Sequence, residues 1–580
     1  MSRAMTMRLV TILSLCMAIA GCSPGDDAPS DSAGGPSRLV FAVHDEHNSM
    51  DPQMISWVSD GRIANCLYEP LVKYDARDLS IEPGVAESWT VSDDKLTYTF
   101  HLRDNAKWSN GDPVTAGDFV YAWRRALLPE TAAQYVMLLY HIDGAQAFFD
   151  WRKQQLRDKP AGAQQMWRQA QQRFDETVGI DAPDDHTLVV RLEQPTPYFL
   201  EMCAFVTFMP NHVPSIAGNL QLNQDTGAFE EISSDYWLNP RRLVTNGPYI
   251  LVGREFRKHL RMDPNPHYWD RASVANGGIE ERIVSEAQAA ILAYQNGDIH
   301  WLPALPSALP ITVELVRQNR PDVHAIDMAG VYFYNFNCQD KLNDGSPNPL
   351  RDAKLRRALS MAIDRETIVT KVTRLNNPVG TTFVPQGALA GYDAPADAAV
   401  GFDPDQARQL LAEAGYPGGK GLTGLSILYN SDHGHEIVAQ AIKRMWQQHL
   451  GVNVELQGME VRRFSARLRQ HDFTISRASW FGDYRDPTTW LDKMATGNGN
   501  NDCNYSNADY DALLARAAGE TDEAKRLEVL RQAEAMMLRD SPMAMIYQYI
   551  TVTLYDPAKV KHLDHNPWNV WRLDRVEVVR

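Results

Sequence analysis

Cysteine is scarce in this sequence, with six in 580 residues. Cys16 and Cys22 sit near the start; Cys66, Cys203, Cys338 and Cys503 are widely scattered. No CxxC occurs, so a zinc ribbon or a thioredoxin-like centre has no support, and spacing alone does not give a disulfide pairing. Positive charge is also short. Lys and Arg number 57 against 73 Asp and Glu, a formal charge of -16. That balance argues against nucleic acid as a partner and suits capture of cationic or zwitterionic solutes. Enzyme signatures are missing as well. His435-Glu436 opens an HExxH, but the fifth position is Ala439, so the second zinc ligand is absent. Residues 415–420 are glycine-rich, yet Lys420 is followed by Gly421 and the spacing is wrong for a phosphate-binding loop. No GxSxG is found, which weakens a secreted hydrolase. These gaps predict a protein that is not an enzyme and holds no metal or cofactor. Beyond the start, no apolar run is long enough to cross a membrane.

At the start, Arg3 and Arg8 precede an apolar run over 9–20, which ends in Ile19-Ala20-Gly21-Cys22. These are the parts of a secretory signal, too short to span a bilayer. The Cys after Ala-Gly resembles a bacterial lipobox, so residues 1–21 are expected to be removed and Cys22 acylated, with enough chains for stable anchoring. The alternative is an ordinary signal peptide with a chance Cys. Residues 22–37 form a Gly/Ser/Pro/Asp tether. Removing 1–21, which carry two Arg and no acid, takes the charge to -18. A periplasmic or cell-envelope location, anchored by lipid, follows.

The mature chain alternates strand and helix signals, which predicts an α/β protein of several lobes. Strands are expected at 38–43 and 425–429, with strict alternation over 96–103. Others are expected at 452–456 and 545–552. Helices are expected at 60–68, from the Thr115/Asp118 cap through Arg125, after the Asp352 cap, after Asp403-Pro404, and over 436–450. Residues 151–177, rich in Gln, Arg and Lys, read as a solvated helical insertion with Met166, Ala170 and Phe174 on one face.

The stretch Arg477-Ala478-Ser479-Trp480-Phe481-Gly482-Asp483-Tyr484 follows an apolar alternation at Phe473-Thr474-Ile475. It reads as a strand that carries a carboxylate to a loop at its end. Asp483 between Trp480 and Tyr484 suits capture of a small cation, with the rings excluding water. A lone Asp there also serves as a turn cap.

A longer pattern bears on that choice. Pro83-Gly84-Val85-Ala86-Glu87-Ser88-Trp89 is followed by Phe100-His101-Leu102-Arg103, Lys107-Trp108-Ser109-Asn110-Gly111 and Pro113-Val114-Thr115-Ala116-Gly117-Asp118-Phe119. Then come Thr245-Asn246-Gly247-Pro248-Tyr249, Asn265-Pro266-His267-Tyr268-Trp269, Asn296-Gly297-Asp298-Ile299 and Arg351-Asp352-Ala353-Lys354-Leu355. The ordered set resembles the family 5 extracellular solute-binding proteins, the binding components of peptide and nickel ABC transporters, over nearly the whole mature chain.

The resemblance implies a three-lobed type II periplasmic binding protein fold with the ligand between lobes I and III. Lobe I would comprise 38–70, 211–329 and 549–580, lobe II 71–210, and lobe III 330–548, with hinge crossings near Gly330 and Gln548. It implies that Asp483 holds a peptide's ammonium group and that Trp480 and Phe481 lie at the ligand. Arg477 and Ser479 would offer main-chain groups to a peptide bound as an added strand. Tyr135 would reach in from lobe II, and Val58 would sit in a loop that offers backbone groups. His435 would lie near the ligand's far end. A structural ion pair for Arg477, core packing for Trp480 and Tyr135, and a surface role for His435 are the alternatives.

Two departures stand out. An Arg that clamps a peptide carboxylate in relatives reads Leu468 here, flanked by Arg467 and Arg469, so a shifted clamp is open. The two positions of a relatives' disulfide read Gly330 and Phe481. The expected partners are a short peptide and a permease with separate ATPase subunits, with the chain a monomer. A murein peptide, nickel chelate, haem or sugar as ligand, or a sensing receptor without transport, are the rival readings.

Overall fold

The computed structural model describes residues 36–579, apart from Asn48, Ser234, Ser307, Ala308, Asp432 and His433. The signal, Cys22 and the tether through residue 35 lie outside the described residues. A ten-stranded mixed sheet runs through the molecule. From one edge, its first strands are Tyr249–Glu255, His259–Pro264, Ile279–Ile283, Leu39–Val43 and Trp301–Leu302. Next come Met543–Tyr555, Val323–Phe336, Ile475–Phe481, Ser426–Asn430 and Glu455–Met459.

Two long antiparallel strands, Val323–Phe336 and Met543–Tyr555, carry the sheet from one half to the other. Their buried stretches are near-continuous apolar runs, as expected of strands covered on both sides. Val331 and Phe333 pack into one cluster with Trp490, Leu530, Met543 and Met545. Tyr332, Tyr334 and Phe336 pack into another with Leu355, Leu359, Trp446 and Ile475. The ladder between these strands breaks after Asp327 (opposite Ile550) and resumes at Val331 (opposite Gln548). In the gap, Gln548 Nε2 donates to Met328 O at 3.0 Å.

A second, antiparallel sheet orders Ala86–Val91, Thr97–Leu102, Thr187–Arg191 and Ile180–Asp184. Its neighbour, the helix Ala116–Ala126, begins with the expected Thr115/Asp118 capping box. Asp118 also accepts from Trp108 Nε1 at 3.1 Å. The Asp352 and Asp403 caps are present too, each accepting backbone N–H bonds from the first turn.

Several boundaries differ from the sequence reading. The first helix starts at Val58, so this residue opens the helix Val58–Leu67 and does not end a loop. The strand expected at 452–456 is Glu455–Met459. The polar segment at 151–177 is the end of one helix, Ala145–Asp158, and a second, Ala163–Thr177. Met166, Ala170 and Phe174 are buried as expected. The segment is not simply solvated, however. Arg152 is fully buried, and its Nη2 donates to Glu130 Oε1 at 2.6 Å and Gly227 O at 2.7 Å. A desolvated guanidinium requires such partners.

Candidate functional site

A cleft of about 610 Å³ opens where several segments meet. Its walls come from the start of the first helix (Trp57, Val58, Arg62), the loop with Tyr135, Phe205, residues 479–483, and the aromatic stretch Trp568 to Arg572. The strand Ile475–Phe481 delivers Asp483 to it. Its inner edge pairs with the long strand, Ser479 opposite Tyr332 and Phe481 opposite Gly330. Its outer edge pairs with Ser426–Asn430 only at Ile475 and Ser476. Among the described residues, 477–481 therefore have one edge outside the ladder, the geometry that accepts an added strand.

Glycine at 482 sets the turn that follows. Its N–H donates to Ala329 O at 2.9 Å. A Cβ there would meet the Trp490 and Trp568 indoles at 2.6 Å, so only glycine passes between them. Asp483 comes next, its N–H donating to Thr489 Oγ1 at 3.0 Å. Its carboxylate is hydrogen-bonded by the Tyr135 hydroxyl. Tyr135 is held edge-on against Phe205, ring centroids 4.9 Å apart. No Lys, Arg or His among the described residues forms an ion pair with Asp483. Burial pushes its carboxyl up to about 7, against the pull of the Tyr135 hydroxyl.

The predicted residues divide into two groups. Asp483, Trp480, Ser479, Phe481, Tyr135 and Val58 all line the cleft. Trp480 Nε1 donates to Thr489 O at 2.7 Å, and Lys493 Nζ lies 4.9 Å from its ring centroid. Phe481 is 44% exposed and packs on Tyr549, with centroids 4.8 Å apart. Tyr484 does not flank the carboxylate on the cleft side. It is buried and stacks on Tyr198, centroids 4.5 Å apart and planes 9° from parallel.

Arg477 and His435 stand behind this wall. Arg477 Nη2 donates to Tyr549 OH at 2.9 Å and Nη1 to Asn430 Oδ1 at 3.4 Å, and its guanidinium lies 5.1 Å from the Tyr332 centroid. An ion pair is not what holds it: these partners are neutral, and no carboxylate among the described residues joins them. His435 opens the helix His435–Leu450, its Nδ1 3.3 Å from the Tyr332 hydroxyl. It lines a separate cavity of about 200 Å³ with Tyr547 and Tyr549. Arg467 is committed elsewhere, donating to Asp472 Oδ2 at 2.8 Å and Gln457 Oε1 at 2.9 Å, and Arg469 is exposed at its helix end. Neither lines the cleft.

Sequence reasoning missed Arg62, Phe205, Asn500 and the Trp568-Asn569-Val570-Trp571 run, all of which line the cleft. The two closely spaced tryptophans were the available signal.

The profile of the bacterial extracellular solute-binding proteins, family 5 Middle, matches residues 80–502. The chain is 31% identical to the oligopeptide-binding protein OppA of Bacillus subtilis, over 94% of this chain and 93% of that protein. It is 30% identical to the periplasmic murein peptide-binding protein MppA of Escherichia coli, over 97% of each. Among solved structures, an oligopeptide-binding protein (OppAIV) of Borrelia burgdorferi superposes with a TM-score of 0.75 at 28% identity, covering 94% of this chain and all of that one. Haemophilus influenzae OppA in complex with RPPGFSPFR gives 0.73 at 27% identity, covering 94% of this chain and 99% of that one. The fold is the type II periplasmic binding protein fold. With its ordered motifs, its sheet and these matches, the chain belongs to the family 5 bacterial extracellular solute-binding proteins.

Proposed function

We propose that this protein captures short peptides in the cell envelope and delivers them to an ABC permease driven by separate ATPase subunits. One observation carries the reading. Asp483 is a desolvated carboxylate in the cleft, hydrogen-bonded by Tyr135 and without a cationic partner among the described residues. A peptide's ammonium group completes it, and the open edge at 477–481 offers main-chain groups to the same extended ligand. The peptide-binding relatives support this chemistry.

In this reading, lobe I (38–70, 211–329, 549–580) and lobe II (71–210) close against lobe III (330–548) over the ligand. The broken ladder between Asp327 and Val331 supports the hinge there, because fewer pairing bonds resist bending. Cys22 is acylated and tethers a monomer to the membrane. Loss of palmitate labelling in Cys22→Ser tests the anchor.

The main test is calorimetric titration with a tetrapeptide and its N-acetylated form. Acetylation removes the charge that Asp483 pairs with, so the acetylated peptide should bind more weakly by about 2–5 kcal/mol, the scale for one partner of a buried pair. Equal affinities would overturn the ammonium assignment. A murein peptide, with its additional carboxylates, is the second reading. It is favoured by Arg62, which lines the cleft with no ion-pair partner among the described residues. Preference for a murein tripeptide over a neutral one would select it.

A further inference from the structure

Two cysteines 165 positions apart in the chain are brought side by side. Cys338 follows the strand Val323–Phe336, and Cys503 lies in the loop before the helix Ala508–Ala518. Cys338 N–H donates to Cys503 O at 2.8 Å. The two thiols lie near enough for each to perturb the other's ionisation. A backbone hydrogen bond of that length holds the two Cα atoms within the about 4.4–6.8 Å that a disulfide spans. Cys338 Sγ also reaches Phe336 O at 3.3 Å, and Cys503 Sγ reaches Asn501 Oδ1 at 3.4 Å. We propose that Cys338 and Cys503 form a disulfide that braces the loop carrying Asn500 into the ligand cleft.

The loop is otherwise held by polar contacts. Asn501 Nδ2 donates to Ala495 O at 3.1 Å and Tyr505 O at 2.8 Å. Lys493 Nζ meets Asp502 Oδ2 at 3.1 Å and the Asn500 carbonyl. Next to these contacts, Asn500 reaches the cleft. A covalent tie at Cys503 fixes this loop to the end of the long strand, whose pairing also positions Phe481.

The chemistry assigns an order. Cys338 is partly exposed, and the neighbouring Cys503 thiol holds it below the usual range, against the effect of burial. Cys503 is buried, which pushes its thiol up. Cys338 is therefore the attacking thiolate. It displaces one sulfur of an external disulfide, such as oxidised glutathione or a dithiol oxidase, giving a mixed disulfide and one released thiolate. Cys503 then loses its proton, attacks the Cys338 sulfur and releases the second thiol. Two protein thiols and one external disulfide become one protein disulfide and two external thiols. Cys66 and Cys203 are buried in a different cluster, and burial pushes both thiols well up, so they stay out of the exchange.

The test uses the purified mature chain, fully reduced and then incubated with oxidised glutathione. Remaining thiols are alkylated under denaturing conditions and the peptides are mapped. The expected result is the loss of two alkylatable thiols and one linked peptide pair, Cys338 with Cys503. Separate glutathionylation or alkylation of both, or linkage to Cys66 or Cys203, would overturn the assignment. Hydrogen exchange over 495–507 tests the bracing: it should slow in the oxidised protein. Identical exchange before and after reduction would refute the brace. Neither readout depends on peptide binding or on where the protein resides.

Discussion

Replacing Asp483 with Asn should make the ligand-free protein more stable at alkaline pH while abolishing tight peptide binding. The carboxyl is raised from 3.8 to about 7, chiefly by burial. A raised carboxyl means that the folded state holds its proton more tightly than the unfolded chain. Stability from this group is thus full below pH 4 and is lost as pH rises through 7. A shift of about three units corresponds to about 4 kcal/mol. Because Asp483 opens partly to the cleft, we expect Asp483→Asn to gain about 2–4 kcal/mol at pH 8 and nothing at pH 4. Binding should show the mirror image. The ammonium pairs with the ionised form, so wild-type affinity should fall about 50-fold between pH 7 and pH 5, while Asn gives a weak, flat profile. Urea unfolding and calorimetric titration across this range read both. Glu201, Asp492 and Glu534 also lie near 7, but their contributions cancel in the difference between wild type and variant. Parallel stability curves for the two proteins would refute the claim that Asp483 is held desolvated and unpaired.

Three further outcomes follow from buried contacts outside the cleft. Arg125 donates to both oxygens of Asp51, at 2.9 and 2.6 Å, in a fully buried pair; Arg125→Met should cost about 3–5 kcal/mol in urea unfolding, because Asp51 is left uncompensated. Gly247→Ala would place a Cβ 2.5 Å from the Leu67 carbonyl carbon and 2.6 Å from Tyr68 N, both backbone, so a loss of about 1–3 kcal/mol is expected by thermal unfolding. His47 is bonded by Asp60 at 2.7 Å and by Glu281; burial disfavours its charge, but the two carboxylates outweigh this and hold it up to about 10. Its stabilisation is present below pH 6.5 and lost as pH rises through 10, so the wild-type advantage over His47→Gln should shrink between pH 7 and 10.

Local signals made much of this fold legible. Caps at Thr115, Asp352 and Asp403 announce themselves because the side chain that satisfies the first N–H groups is adjacent in sequence. Period-2 alternation marked 96–103 for the same local reason. Asp483, Trp480 and Tyr135 were legible through a resemblance, and the structure adds why two of them belong together: the Tyr135 hydroxyl meets the Asp483 carboxylate. Arg152 was misread as solvated, because its partners Glu130 and Gly227 lie in other segments and composition cannot see them. Trp568 and Trp571 escaped assignment because only the fold brings the last residues of the chain to the cleft. The pairing of Cys338 with Cys503 was unreadable for the same reason: a strand end and a distant loop meet only in three dimensions.

The cleft holds its charge in a form that favours a ligand over solvent. A carboxylate with a cationic neighbour would be stable when empty and would gain little from an ammonium group. Asp483 has a tyrosine hydroxyl instead, which orients the carboxylate without neutralising it. On the proposed reading, the ionised empty site is the costly state, and a bound ammonium would relieve it. Arg477, behind the cleft wall, is instead enclosed by neutral groups: tyrosine hydroxyl, amide oxygen and ring face. On the proposed reading, such a site selects for a free amino terminus before it touches a side chain.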